Sequence, residues 1–186
     1  MEELAHLRPE SCALMVVDIQ ARLMPVINGR EEMTKNSVLL MKAAEVMKIP
    51  LVATTQYAAR IGELLPVIQA ELGDVVPLDK MEFDCFANQA IKEKIKKLPR
   101  QINTLIICGV ETHICIYQTV LGALQAGYRV WVPADGVSSR TVRNYETGLA
   151  RIKDLGARVG NTEMIIYELL HRAGTPEFRE LLPLLK

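Results

Sequence analysis

The chain has 186 residues, of which 49% are hydrophobic and 24% are charged. This composition excludes a disordered, collagen-like or low-complexity polypeptide and predicts one globular domain spanning residues 1–186. The 22 basic residues balance the 22 acidic residues, so no long-range field would attract nucleic acid or an anionic membrane, and we expect neither as a partner.

Short apolar runs rich in β-branched residues alternate along the chain with longer segments of helical period. This alternation is typical of βαβ units around a parallel sheet. The predicted strands are residues 12–17, 50–54, 74–78, 104–108, 129–132 and, with a weaker pattern, 158–160. The predicted helices are residues 31–47, 87–98, 113–126, 141–155 and 162–170. We therefore expect an α/β fold of Rossmann-like type, a three-layer α/β/α sandwich with a six-stranded parallel sheet.

The N-terminal residues and the cysteines predict the compartment. Residues 1–6 (MEELAH) are acidic and resemble neither a secretory signal nor a transit peptide. No later stretch approaches the ~20 apolar residues that a membrane span requires. The four cysteines form no C-x-x-C pair, which argues against a zinc site or a disulfide framework. We expect a cytoplasmic protein.

Polar residues that directly follow the strands are the candidate functional site, because ligands of open parallel sheets bind beyond the carboxyl ends of the strands. Asp18 follows the first predicted strand, Lys80 the third and Cys115 the fourth, shortly after a helix opens at Thr112. The helix dipole would favour a thiolate at Cys115, and the charge of Lys80 would lower the thiol pKa further. A carboxylate at Asp18 could accept the thiol proton and pass it to a leaving group.

Each of these three residues also fits a purely structural role. A buried cysteine is often a small hydrophobe, an aspartate can cap a helix, and a lysine at a strand end can be solvent-exposed. Three such residues at the carboxyl edges of three strands are improbable as unrelated structural features. Together they predict a catalytic site.

Several segments resemble the isochorismatase-like cysteine hydrolase superfamily, and the resemblance covers nearly the whole chain. The segments are VDIQ at residues 17–20, Lys80 with Phe83 and Phe86, GVETHIC at 109–115, ADGVSSRT at 134–141 and GNTE at 160–163. The G-V-E-T-x-x-C element is the most specific of them. The chain is similar in particular to the compact subgroup described only as isochorismatase-family hydrolases.

The resemblance implies a role for each residue of the site. Asp18 would be the base, Lys80 the cation and Cys115 the nucleophile of an Asp/Lys/Cys triad. The family has a cis peptide bond four residues before the nucleophile, which here is the bond between residues 110 and 111. The backbone N–H groups of Glu111 and Cys115 would form the oxyanion hole.

The resemblance also implies an activity. Amidase members such as nicotinamidases form a thioester with the cysteine, release ammonia and hydrolyse the thioester. This predicts a hydrolase of a small amide, ureido or related carbonyl compound. Nicotinamidases carry a metal-binding Asp-x-His cluster after the second strand, whereas residues 55–60 (TQYAAR) contain no histidine. We expect neither a metal nor a cofactor.

The loops that follow the strands also supply candidate pocket residues and a candidate interface. The pocket candidates are Gln20, Leu23, Gln56, Tyr57, Phe83 and Phe86, with a core position an equal alternative for each phenylalanine. The family resemblance implies a homo-oligomer. The apolar segment 176–186 would contact either its own domain or a neighbouring subunit.

Two other functions are weighed against an amide hydrolase. The first is a catalytically silent or redox-responsive scaffold of the same fold, because a thiolate at a helix N-terminus oxidises readily. The second is hydrolysis of a vinyl ether, against which the presence of Cys115 argues. Dinucleotide and P-loop motifs are absent from the sequence.

Overall fold

A computed structural model describes residues 6–186; residues 1–5, on which part of the cytoplasmic prediction rests, lie outside the described residues. The strands are β1 (Cys12–Val17), β2 (Leu51–Gln56), β3 (Leu78–Lys80), β4 (Thr104–Val110), β5 (Arg129–Pro133), β6 (Val137–Ser138) and β7 (Arg158–Gly160). The α-helices are α1 (Arg30–Val46), α2 (Ala58–Ile61), α3 (Pro66–Gln69), α4 (Gln89–Lys96), α5 (Tyr117–Gln125), α6 (Val142–Asp154), α7 (Thr162–Leu170) and α8 (Pro176–Leu181). All strand pairs are parallel, in the order β3-β2-β1-β4-β5-β7, with β6 beside β4. The α/β fold with a parallel central sheet is confirmed.

The sheet divides the hydrophobic core into two layers, and β1 contributes to both. Its six residues are all buried, and successive side chains point to opposite faces. Leu14 and Val16 pack in a cluster with α1 and α7, whereas Met15 and Val17 pack in a cluster with α4, α5 and α6. A strand buried on both faces has a continuous apolar sequence, which is why β1 and β4 were predicted within two residues of their observed ends.

The sheet has seven strands, not the predicted six, because β6 consists of only two residues. Val137 and Ser138 pair with Gly109 and Val110 at the carboxyl end of β4. A two-residue strand carries no periodicity that a sequence pattern could reveal.

The prediction for the third strand was also wrong. It covered residues 74–78, whereas β3 spans Leu78–Lys80. Residues 73 and 74 lie in a turn, the N–H of Val75 donates to the carbonyl oxygen of Leu72 at 3.0 Å, and Pro77 cannot donate to a ladder. The apolar run before β3 is therefore a loop, and Lys80 is the last residue of the strand.

The order of the strands places a topological switch point between β1 and β4. From β1 the chain continues to β2 and β3 on one side, and it then returns to β4 and β5 on the other side. The crevice at such a point is the usual ligand site of a doubly wound sheet. Among the described helices, none is long and apolar enough to cross a membrane.

Candidate active site

The carboxyl ends of β1 and β4 approach each other closely at Gly109. Its φ is +120°, and a Cβ there would collide with the carbonyl group of Val17 on β1. Only glycine combines this conformation with this approach. Asp18, with φ +57°, follows β1 directly, and Glu111 follows β4. The glycine of the G-V-E-T motif thus brings the two strand ends together.

Lys80 reaches Asp18 from a strand that is not its neighbour. β3 is separated from β1 by β2, a distance of about 10 Å, so the lysine side chain extends across β2. Its Nζ lies 2.6 Å from Asp18 Oδ2, and both side chains are fully buried. Burial is the largest single effect on the pKa of Lys80 and lowers it. The charge of Asp18 and its hydrogen bond, together with the neighbouring Cys85 and Cys115, outweigh burial in sum, so the pKa is raised above its ordinary value of 10.5.

Cys115 lies in a π-helical turn, Thr112–Ile116, that joins β4 to α5. Its thiol is buried, and the charges of Asp18 and Lys80 both act on its pKa. Burial, followed by the negative charge of Asp18, raises the thiol pKa to about 12, while the charge of Lys80 lowers it. The structure corrects the expected direction: desolvation outweighs the helix terminus and the lysine, so the resting group is a neutral thiol.

Two residues of β2 contact the charged pair, and Thr54 was not predicted. Thr54 Oγ1 donates to Asp18 Oδ1 at 2.8 Å. Gln56 Oε1 accepts from Lys80 Nζ at 2.7 Å, and Gln56 Nε2 donates to the carbonyl oxygen of Met81 at 2.8 Å. The alternation of side chains along a strand would have placed both residues on one face of β2.

Gln20, proposed from the sequence as a pocket residue, is fully buried. Its Nε2 donates to the carbonyl oxygens of Gly62 at 2.6 Å and Gln56 at 3.1 Å. Its Oε1 accepts from the Gln56 N–H at 2.8 Å. The amide of Gln20 therefore joins the loop after β1 to the end of β2.

Glu111 joins the turn to the loop after β6. The Val110–Glu111 peptide bond is cis, as the resemblance implied. The carbonyl oxygen of Glu111 accepts from the N–H groups of Ile114 and Ile116, at 3.0 and 3.2 Å. Its Oε2 accepts from Arg140 N at 3.0 Å and Nε at 3.1 Å. The oxyanion-hole role of the Glu111 and Cys115 N–H groups stays a prediction.

The remaining pocket candidates do not form one cluster. Leu23 packs against the core layer of α1, whereas Phe86 is buried in the opposite layer beside Tyr128. Phe83 and Tyr57 are 51% and 38% exposed. The two exposed side chains follow β3 and β2, at the edge of the sheet that carries Lys80.

Helix α6 packs directly on the turn that carries Cys115, and Gly148 makes this possible. A Cβ at Gly148 would lie 2.9 Å from the backbone nitrogen of His113 and 3.0 Å from the carbonyl carbon of Thr112. The Nδ1 atom of His113 lies 3.0 Å from Ser139 Oγ, so this side chain contacts the loop after β6. Neither contact has a signal in the sequence, because each joins distant segments.

Within residues 6–186, no group of three or more histidine, cysteine, aspartate or glutamate side chains is arranged to hold a metal ion. The described cysteines are all free and buried.

Comparison with known proteins gives one family. The family model described as "Isochorismatase domain" matches residues 12–164. A secreted isochorismatase effector, Isc1, of Phytophthora sojae is 34% identical, over 100% of this chain and 89% of its own. The structure of a MAR1 ribonuclease from Caenorhabditis elegans superposes with a TM-score of 0.90 at 28% identity, over 97% of this chain and 92% of its own.

A further solved structure supports the fold alone. The YcaC gene product of Escherichia coli, described as an octameric hydrolase of unknown specificity, superposes with a TM-score of 0.90 at 20% identity. The superposition covers 99% of this chain and 92% of that protein.

Proposed function

The chain belongs to the isochorismatase domain family, and from that membership and the geometry of the buried triad we propose that it hydrolyses a small amide, ureido or related carbonyl compound with Cys115 as the nucleophile. The family includes nicotinamidase-type cysteine hydrolases, and membership in it supports a hydrolase fold for this chain. The substrate class and the mechanism are our proposal.

The observation that carries the proposal is the buried ion pair of Asp18 and Lys80, 2.6 Å apart, with the buried Cys115 thiol near enough for both charges to act on its pKa. The three side chains come from three separate strand ends, and the lysine crosses an intervening strand to complete the arrangement. A base within hydrogen-bond reach of a nucleophile, itself oriented by a third group, is the general arrangement of nucleophilic catalysis.

The proposed reaction has two halves. Asp18 takes the Cys115 proton as the sulfur attacks the carbonyl carbon, and the N–H groups of Glu111 and Cys115 bind the oxyanion. Collapse breaks the C–N bond, and Asp18 returns the proton to the leaving amine, which leaves a thioester on Cys115. Asp18 then takes a proton from a water molecule, whose oxygen attacks the thioester. The C–S bond breaks, the acid is released, and Asp18 returns the proton to the sulfur of Cys115, which regenerates the thiol.

The raised thiol pKa is consistent with this use of Asp18. Transfer of the proton neutralises Asp18, whose charge raises the pKa of Cys115, and leaves the thiolate beside the Lys80 ammonium, which lowers it. The net charge of the buried site is the same before and after transfer. The cost of a buried thiolate is thereby offset by the loss of a buried carboxylate.

The alternative of a redox-responsive scaffold is disfavoured by the same thiol. Oxidation requires a thiolate, and the pKa of the Cys115 thiol is raised to about 12. Hydrolysis of a vinyl ether, the second alternative, would leave the Cys115 thiol without a role in the reaction.

The assembly and the compartment are also proposals. The octameric YcaC structure and the exposed apolar side chains of Met81, Phe83 and Tyr57 support a homo-oligomer, which multi-angle light scattering would measure. A cytoplasmic location stays a prediction from the sequence; the Phytophthora sojae relative is described as secreted, and fractionation of the source cells distinguishes the two locations.

The test is ammonia release from a panel of small primary amides and ureido compounds, with single-stranded RNA as a separate arm because one relative is a ribonuclease. We expect turnover of at least one amide or ureido compound, and a thioester adduct on Cys115 in rapidly quenched samples. Cys115→Ala should abolish both. Cys108→Ala, which removes a thiol buried in the opposite core layer, should retain turnover.

Turnover by Cys115→Ala would overturn the nucleophile assignment. Cleavage of RNA without turnover of any panel compound would overturn the substrate class. The zero net charge of the chain makes that second outcome unexpected.

A further inference from the structure

We propose that β2 supplies two positioning residues, Thr54 and Gln56, which hold the Asp18 carboxylate and the Lys80 ammonium in the orientation that proton transfer from Cys115 requires. This inference rests on the proposed function, since it assigns residues that act through Asp18 and Lys80.

The pleat of β2 explains why these two residues, and not the one between them, contact the charged pair. Residues two apart on a strand lie on the same face of the sheet. Thr54 and Gln56 lie on the face that Lys80 crosses, and Gln56 is directly paired with Lys80 in the parallel register. Thr55 lies on the opposite face, where its Oγ1 donates to Asp79 Oδ1 at 2.8 Å.

Thr54 and Lys80 hold the two oxygens of Asp18 separately. Oδ1 accepts from Thr54 at 2.8 Å and Oδ2 accepts from Lys80 at 2.6 Å. With both oxygens engaged by donors from two different strands, the carboxylate plane cannot rotate without breaking one hydrogen bond. The carboxylate is therefore an acceptor of defined orientation for the proton of the Cys115 thiol, whose pKa the charge of Asp18 raises.

Gln56 fixes the position of the cation in a similar way. The Lys80 ammonium has three donors, and the Gln56 amide oxygen and Asp18 accept two of them, at 2.7 and 2.6 Å. The orientation of the Gln56 amide is set by its other end, because Nε2 donates to the carbonyl oxygen of Met81 at 2.8 Å. Gln56 thus ties the ammonium to the main chain just beyond β3.

Thr55 provides a matched control on the same strand. Thr55→Val and Thr54→Val each delete one threonine hydroxyl that donates to an aspartate at 2.8 Å, and both threonines are buried. The two substitutions differ in which face of the sheet they change. Thr54→Ser retains the hydroxyl and is the conservative rescue. Gln56→Met keeps the length of the side chain and removes the acceptor.

The experiment measures the rate of Cys115 alkylation by iodoacetamide between pH 7 and pH 10, read by peptide mapping, in the full chain. Without Thr54 the carboxylate no longer presents a fixed acceptor to the thiol proton, and without Gln56 the ammonium is no longer fixed, so we expect slower alkylation at every pH. Thr54→Val and Gln56→Met should each displace the profile to higher pH by about one unit, a tenfold slower reaction at fixed pH. Thr55→Val and Thr54→Ser should match the unaltered protein within about twofold.

Unfolding midpoints in urea are measured on the same samples, because Thr54→Val and Thr55→Val should destabilise the fold to a similar extent. Superimposable alkylation profiles for Thr54→Val, Gln56→Met and the unaltered protein would overturn the proposal. An equal displacement in Thr55→Val would also overturn it, since a general disturbance of β2 would then be the cause.

This assay needs no substrate, so its failure is distinguishable from failure of the proposed function. Displaced profiles in a protein that hydrolyses nothing on the panel would leave the positioning role supported and reject the proposed substrate class. Where a substrate is found, Thr54→Val and Gln56→Met should lower kcat about tenfold or more with little change in KM, because neither side chain contacts substrate in this proposal.

Discussion

Lys80 and Asp18 form an ion pair from which solvent is excluded, with Nζ 2.6 Å from Oδ2 and no exposed surface on either side chain. The attraction between two such charges compensates a large loss of hydration only while both partners are present. The pair therefore determines both the stability of this edge of the sheet and the proton chemistry at Cys115.

Removal of the lysine alone should be costly. Lys80→Met leaves the Asp18 carboxylate buried without its cation, and we expect the free energy of unfolding to fall by about 3–5 kcal/mol. The double variant Asp18→Asn/Lys80→Met contains no uncompensated charge and should recover at least half of that loss. Urea unfolding at pH 7, followed by circular dichroism, measures both. A double variant as unstable as the single one would contradict this account.

The reactivity of Cys115 should increase with pH without reaching a plateau. Because burial and the charge of Asp18 raise its pKa to about 12, the rate of alkylation by iodoacetamide should rise about tenfold per pH unit from pH 7 to pH 10. Lys80→Gln removes the cation that lowers this pKa and should slow the reaction at each pH. A plateau below pH 8 would show instead that the resting group is a thiolate.

The fold should lose stability as the pH rises above 9. Burial raises the pKa of Cys12 to about 11, and those of Cys85, Cys108 and Cys115 to about 12, above the ordinary value of 9.0. Above pH 9 the unfolded chain releases these protons while the folded chain keeps them, so the free energy of unfolding falls. Each thiol contributes up to about 1.4 kcal/mol per pH unit.

Lys80 adds to the same loss, since its raised pKa means that the folded protein retains a proton that the unfolded chain releases above about pH 10.5. Urea unfolding at several pH values from 8 to 10.5 measures the slope. Cys108→Ala should make the slope shallower by about one thiol's contribution. An unchanged slope in Cys108→Ala would show that the buried thiols do not cause the loss of stability at high pH.

Because α6 contacts the Cys115 turn, we expect Gly148→Ala to destabilise the fold, although helix propensity alone would favour alanine at that position. In an exposed helix, Gly→Ala stabilises by about 1 kcal/mol. Gly148→Ala would place Cβ 2.9 Å from the His113 nitrogen, so the helix or the turn must move, and we expect a loss of about 1–3 kcal/mol together with slower Cys115 alkylation. The exposed neighbouring residue of the same helix provides the control Thr147→Ala, which should stabilise the fold by about 0.5 kcal/mol and leave alkylation unchanged. If Gly148→Ala were more stable than the unaltered protein and were alkylated at the normal rate, the close packing of α6 on the turn would not limit the residue at position 148.

The residue pattern was sufficient to predict the parallel sheet and to locate the triad. β1 and β4 are buried on both faces, and their continuous apolar sequences mark where each strand ends. In a parallel sheet those ends share one edge, so Asp18 and Cys115 had to be near each other. Lys80 was also predicted at this edge although the predicted bounds of its strand were wrong. Both the predicted strand, 74–78, and the observed strand, Leu78–Lys80, end at or just before Lys80.

The three-dimensional arrangement was needed for the properties that depend on neighbours distant in the sequence. Three features join segments that no local sequence pattern relates. They are the two-residue strand β6, the hydrogen bonds of the Gln20 and Gln56 side chains, and the contact of Gly148 with the Cys115 turn. The direction of the Cys115 pKa shift belongs to the same class. A helix terminus and a nearby lysine are visible in a sequence, but desolvation is set by every atom packed around the sulfur, and here it is the largest effect.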